Sequence, residues 1–105
     1  MYSIVFVTVK GNEEAKKIAD TLVIEKLVAC VNMIDQVKSV FWWKGEVQYG
    51  EEILLIMKTK DSALPQLIAR IKLLHSYTVP EIISVPIKTG NPDYLKWIGD
   101  SVVDH

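Results

Sequence analysis

The chain has 105 residues, half of them apolar and 24% charged, with a formal net charge of −1, which suits one domain with one modest core and carries no signature of disorder. Interspersed signs leave no basic stripe, an argument against a nucleic-acid backbone binder. The single cysteine, Cys30, excludes an intrachain disulfide and suits a reducing compartment. No apolar run approaches the ~20 residues that span a bilayer. Met1–Ile4 lacks the basic start of a signal peptide, so the expectation is a cytoplasmic protein without membrane contact.

Ile4–Val9 is β-branched and apolar, a strand expected to be buried on both faces. Gly11-Asn12 breaks it, and Asn12 is placed to cap a helix with Glu13 and Glu14 in its first turn. Ala15, Ile18, Ala19, Leu22 and Val23 follow at helical spacing, with Lys26 expected in the last turn. A second strand then enters a long apolar hairpin, Cys30–Trp43 and Glu46–Lys58, around Lys44-Gly45. Gly45 supplies the positive φ of a tight turn. That turn sets Lys38 opposite Glu51 and Val31 opposite Lys58, with room for a bulge at Asp35-Gln36. An arm of about fourteen residues spans roughly 45 Å, whereas a domain this size is roughly 35 Å across. The hairpin therefore overshoots its own core, and Phe41, Trp42, Trp43, Val47 and Tyr49 at its tip form a patch that other chains are expected to cover.

Ile53–Met57 reads as a second strand buried on both faces. Asp61-Ser62 and Pro65 mark the start of a helix striped by Leu64, Leu67, Ile68, Ile71 and Leu74. Ile82–Ile87 is a strand, and Asn91-Pro92 caps a third helix docked by Tyr94, Leu95, Ile98 and Val102. The order gives an α+β, ferredoxin-like βαββαβ sandwich with an extended central hairpin and an extra C-terminal helix, one domain over 1–105. Helices cover one face of an antiparallel sheet, so the other apolar face needs a cover, which a symmetric oligomer supplies.

Five segments match one family in order and spacing: Ala29-Cys30-Val31-Asn32, Trp42-Trp43-Lys44-Gly45-Glu46, Lys58-Thr59, His75-Ser76-Tyr77-Thr78-Val79-Pro80-Glu81-Ile82 and Tyr94-Leu95-Lys96-Trp97. The sequence resembles the CutA family of divalent-cation tolerance proteins along almost its whole length. The resemblance implies a cytosolic homotrimer of ferredoxin-like subunits whose hairpin reaches onto neighbours. It also implies binding of copper or related divalent ions, and an architecture similar to the trimeric PII signalling proteins. The chain departs from the family where members usually read His-Pro-Tyr and it has Ser76, where some carry a second histidine and it has Leu74, and where some carry a cysteine near Val7.

Each candidate residue carries two readings. His75 is the leading metal candidate, with Tyr77 and Glu81 nearby, or else a histidine capping the last carbonyls of its helix. Cys30 is a soft ligand for copper or zinc, or a small packed thiol. Trp42 and Trp43 point to opposite faces, either stacking on a planar ligand or placing one ring on the core and one at an interface. Lys58 interrupts an apolar strand and needs a partner, for which Glu81 is the candidate, unless it lines an anion-binding cleft at a subunit boundary. Met33 and Met57 read as core, and terminal His105 as a nonspecific metal binder.

No Walker A, G-x-G-x-x-G, G-x-S-x-G or zinc-type Cys/His spacing is present, so no enzyme and no required cofactor is expected. An acylphosphatase-like site needs an arginine in an anion-cradling loop, yet Arg70, the sole arginine, falls in a helix. An RNA-binding sheet needs exposed aromatics on central strands, which offer only Phe6. Two functions remain: a trimeric divalent-metal-binding tolerance protein, or a PII-like module taking a small anion or a partner protein in inter-subunit clefts.

Overall fold

Strand β1 (Tyr2–Val9) alternates strictly in the computed structural model, which describes residues 1–104. Val5, Val7 and Val9 are fully buried, while Ile4, Phe6 and Thr8 are only half-buried. Strand β3 (Glu46–Lys60) repeats the pattern, with Ile53, Leu55 and Met57 inside and Leu54, Ile56 and Lys58 half-buried. Neither strand is thus buried on both faces within the chain, because the helices that follow β1 and β3 cover one side and the C-terminal helix reaches only the Tyr2 end of the other. Strands β2 (Cys30–Trp43) and β4 (Ile82–Pro86) complete an antiparallel sheet of order β2-β3-β1-β4.

Helix α1 (Asn12–Ile24) and helix α2 (Leu64–Leu74) lay Ala15, Ile18, Leu22, Leu67 and Ile71 onto the valines of β1 and the inner face of β3. Each fully buried Leu or Ile contributes about 1.5–3 kcal/mol relative to an exposed one, so this stripe anchors the layer. Helix α3 (Pro92–Ser101) closes a second, smaller cluster of Ala63, Ile98 and Val102, joined by Tyr2, Ala29, Ile87 and Leu95.

Local details differ from the sequence expectation at four helix and strand ends. Gly11 is the N-cap of α1, and Asn12 is its first helical residue. Lys26 lies beyond the helix at φ 59, where the Leu27 N–H donates to the Leu22 carbonyl and the Lys26 N–H to the Val23 carbonyl. This is a Schellman closure made without glycine. Asp61 does not cap α2. Residues Asp61–Ala63 form a 3-10 turn, and the Asp61 carboxylate accepts from the Met1 amine and the Ser3 hydroxyl instead. Strand β4 ends at Pro86, although the Ile87 N–H still donates to the Tyr2 carbonyl. The Asn91 cap forms as expected, its side chain accepting from the Asp93 N–H.

The hairpin is as long as expected, and the molecule measures 44 × 25 × 22 Å. Lys44 at φ 51 and Gly45 at φ 78 form the two-residue turn, and Lys38 pairs Glu51. Between Ile34 and Val37 the register shifts by one residue, with Gln36 at φ 59. This bulge lies at the predicted Asp35-Gln36 break. It puts Cys30, not Val31, opposite Lys58, and Val31 opposite Met57.

Candidate functional site

The bulge decides which side chains share the open face. A slip of one residue moves a whole strand segment to the opposite face, so Cys30 and Asn32 now stand with Lys58 away from α1 and α2, on the face that α3 borders. Lys58 Nζ lies 3.8 Å from Cys30 Sγ and donates to Asn32 Oδ1. The Cys30 thiol donates to the same Oδ1 at 3.7 Å. Tyr94 of α3 lies against the thiol: partial burial first, and Cys30 second, push its phenol above the ordinary value. The Tyr94 ring meets Trp97 at 5.3 Å between centroids.

Glu81 is not the partner of Lys58. It is exposed at the foot of β4, while the ammonium is held by Asn32, which register places beside it. Asn32 and Tyr94 are members of this corner that residue-by-residue reading missed. The i, i+2 spacing of Cys30 and Asn32 was a usable signal for the first; the second depends on where α3 docks.

His75 stands in a separate network. Its side chain is 0% exposed. The Tyr77 N–H donates to Nδ1 at 3.0 Å, and Nε2 lies 2.8 Å from the Thr8 carbonyl oxygen. A backbone amide only donates and a carbonyl only accepts, so this pairing selects the tautomer with the proton on Nε2. The ring thus ties α2 to β1, and does not bond the last carbonyls of its own helix. Glu14 accepts from the Ser76 N–H and hydroxyl, both at 2.8 Å, and its Oε2 stands 3.6 Å from Nδ1. The Tyr77 hydroxyl donates to Oε2 of buried Glu52 at 2.8 Å. Desolvation, then Glu52, pushes that phenol up to about 12.

His75 and Cys30 therefore do not meet within the subunit. Among the described residues no group of three or more His, Cys, Asp or Glu side chains is arranged to hold a metal ion. His105 lies outside the described residues. Trp42 and Trp43 are 75% and 42% exposed at the hairpin tip, so neither ring packs on the subunit's own core. Met57 is core, but Met33 is 50% exposed, because β2 runs along the sheet edge past the reach of the helices.

Fold and site together define a ferredoxin-like domain with an overlong hairpin and one sheet face left largely uncovered. The chain belongs to the CutA1 divalent ion tolerance protein family, whose sequence model matches residues 3–101. It is 47% identical over 98 residues to "Protein CutA 1, chloroplastic" of Oryza sativa subsp. japonica, covering 93% of this chain and 55% of that protein. It is 46% identical over 101 residues to the "Divalent-cation tolerance protein CutA" of Thermus thermophilus, covering 96% and 98%. A solved Thermus thermophilus structure described as a divalent cation tolerance protein superposes with a TM-score of 0.96 at 45% identity, covering 98% of this chain and all of that one. The chain thus spans about half of the rice relative and nearly all of the bacterial one. No helix among the described residues is long and apolar enough to cross a membrane.

Proposed function

We propose that this chain acts in divalent-cation tolerance as a cytoplasmic, non-enzymatic homotrimer that binds copper-type ions through residues of more than one subunit. The observation that carries the assembly is uncovered apolar surface. Ile34, Ile83 and Val85 on the open face are 45%, 54% and 42% exposed, and the tip adds Phe41, Trp42, Trp43, Val47 and Tyr49. A soluble monomer rarely leaves so many large apolar side chains together in water. Copies of the same chain packing their open faces around an axis bury it.

The residues of one subunit do not fit a tight metal site. Both His75 nitrogens are engaged, and the Cys30 sulfur has an ammonium 3.8 Å away, which repels a cation. Cys30, half-buried on the face that assembly covers, is the donor to which a neighbouring subunit can add ligands. His75 becomes a ligand only by giving up Thr8 or Tyr77. Sedimentation velocity at micromolar concentration is expected to give three times the mass of the chain, and a stable monomer overturns the assembly. Calorimetric titration of copper(II) into the untagged protein is expected to give about one site per chain, weakened by Cys30→Ser. Heats that persist unchanged in Cys30→Ser and vanish without His105 remove the metal reading.

A second reading is favoured by Lys58 itself. Its half-buried ammonium has no carboxylate partner among the described residues. That is the feature expected of a PII-like module holding a small anion where subunits meet.

A further inference from the structure

Lys58 and Lys60 are the two lysines that are not exposed. Lys60 has its counter-charge, with Nζ 2.7 Å from Asp104 Oδ1. Lys58 instead meets a carboxamide oxygen and a sulfur. A cation that loses part of its hydration without gaining an anion is unfavourable. The surroundings are all capable of donating toward an incoming oxygen. Lys58 keeps one of its three N–H groups beyond those on Asn32 and Cys30, and Asn32, which spends Oδ1 on Lys58, keeps its amide N–H pair. Tyr94, 42% exposed, interacts with Cys30 at this corner, and its ring meets that of Trp97, itself 44% exposed.

Resting on the second reading above, the geometry points to the Cys30–Asn32–Lys58–Tyr94 corner as a binding site for a small organic oxyanion, a carboxylate or phosphate ester with an apolar body. Lys58 Nζ and Asn32 Nδ2 bind its oxygens, and the body lies against the Tyr94–Trp97 pair. Charge-assisted hydrogen bonds of this kind are the strong ones, and the aromatic rings discriminate against a bare inorganic ion. A divalent cation is the poorer occupant, because no carboxylate here offsets the ammonium.

The test uses the intact assembled protein with benzoate, phenyl phosphate and inorganic phosphate against chloride at matched ionic strength, read by calorimetry and thermal shift. Benzoate or phenyl phosphate is expected to bind and raise the melting temperature, and inorganic phosphate to bind more weakly. Whichever aromatic probe binds more tightly identifies the headgroup. Lys58→Gln should weaken binding about tenfold or more, Asn32→Leu several-fold, and Lys58→Arg little. Exposed Lys88→Gln should leave it unchanged. If the wild type binds and both Lys58→Gln and Asn32→Leu bind equally well, this corner is not the site, though the anion reading stands. If the wild type binds none of the probes, both fall. If Lys58→Gln loses binding and also loses mass by sedimentation, while Asn32→Leu keeps both, a neighbouring copy's carboxylate is the occupant and the proposal is overturned.

Discussion

Tyr77 shows how much one side chain holds in this fold. Its hydroxyl donates to buried Glu52 on β3, its backbone N–H fixes the His75 ring, and that ring bonds Thr8 on β1. Tyr77→Phe leaves the Glu52 carboxylate short of a donor, so a loss of about 1–3 kcal/mol in urea unfolding is expected. The pH dependence has a definite sign. The folded phenol is pushed up to about 12 from 10.0, so folding favours the protonated form. Its contribution is complete below pH 10 and disappears as pH rises from 10 to 12. The difference in melting temperature between wild type and Tyr77→Phe should therefore narrow across that window, and a constant difference contradicts the assignment. His75 shows what sequence withholds at this scale. Its place at the end of α2 was legible from the helical stripe. Its partner Thr8 is 67 positions away, and only the packing of α2 over β1 brings them together.

At the scale of elements, three residues without glycine's freedom adopt positive φ: Lys26 at 59°, Gln36 at 59° and Lys44 at 51°. Lys26 closes α1, and nothing in its hydrogen-bonding requires its side chain, since the closure is made by backbone groups. Lys26→Gly should therefore stabilise the fold by about 0.5–1 kcal/mol, the left-handed penalty exceeding the entropy glycine adds to the unfolded chain. Equal or lower stability in chemical denaturation refutes this. Gln36 explains why the hairpin was only partly readable. From the turn outward, Lys44-Gly45 and alternation fix the register as far as Lys38–Glu51. The polar pair Asp35-Gln36 announced an interruption, but not that one extra residue would be absorbed there. That single residue changed the partner of Lys58 from Val31 to Cys30 and so composed the Lys58 corner. The βαββαβ order, by contrast, was legible throughout, because each helix carries its own stripe and each strand its own alternation.

At the scale of the whole molecule, the hairpin tip stands apart from the folding core, and in the proposed assembly it is the part left for contact between copies. The buried clusters draw on β1, on the three helices and on the base of the hairpin from Ile53 onward, and contain no residue between 35 and 52. The tip aromatics are exposed and large, with Trp42 at 75% and Tyr49 at 78%. Each such ring has 150–250 Å² to bury. Trp43 and Phe41, at 42% and 43% exposure, are the least exposed of these rings, and truncating Trp43 would remove area from the proposed interface without opening a cavity in the buried clusters. Trp43→Ala is therefore expected to dissociate the assembly at lower dilution than wild type in sedimentation velocity, while far-ultraviolet circular dichroism at high concentration stays unchanged. At a given protein concentration the variant should also melt at a lower temperature, because a chain that binds its copies only when folded is stabilised by mass action. Unchanged mass on dilution together with an unchanged melting temperature would remove the tip from the interface, and leave the open face of the sheet, with Ile83 and Val85, as the surface that holds the copies together.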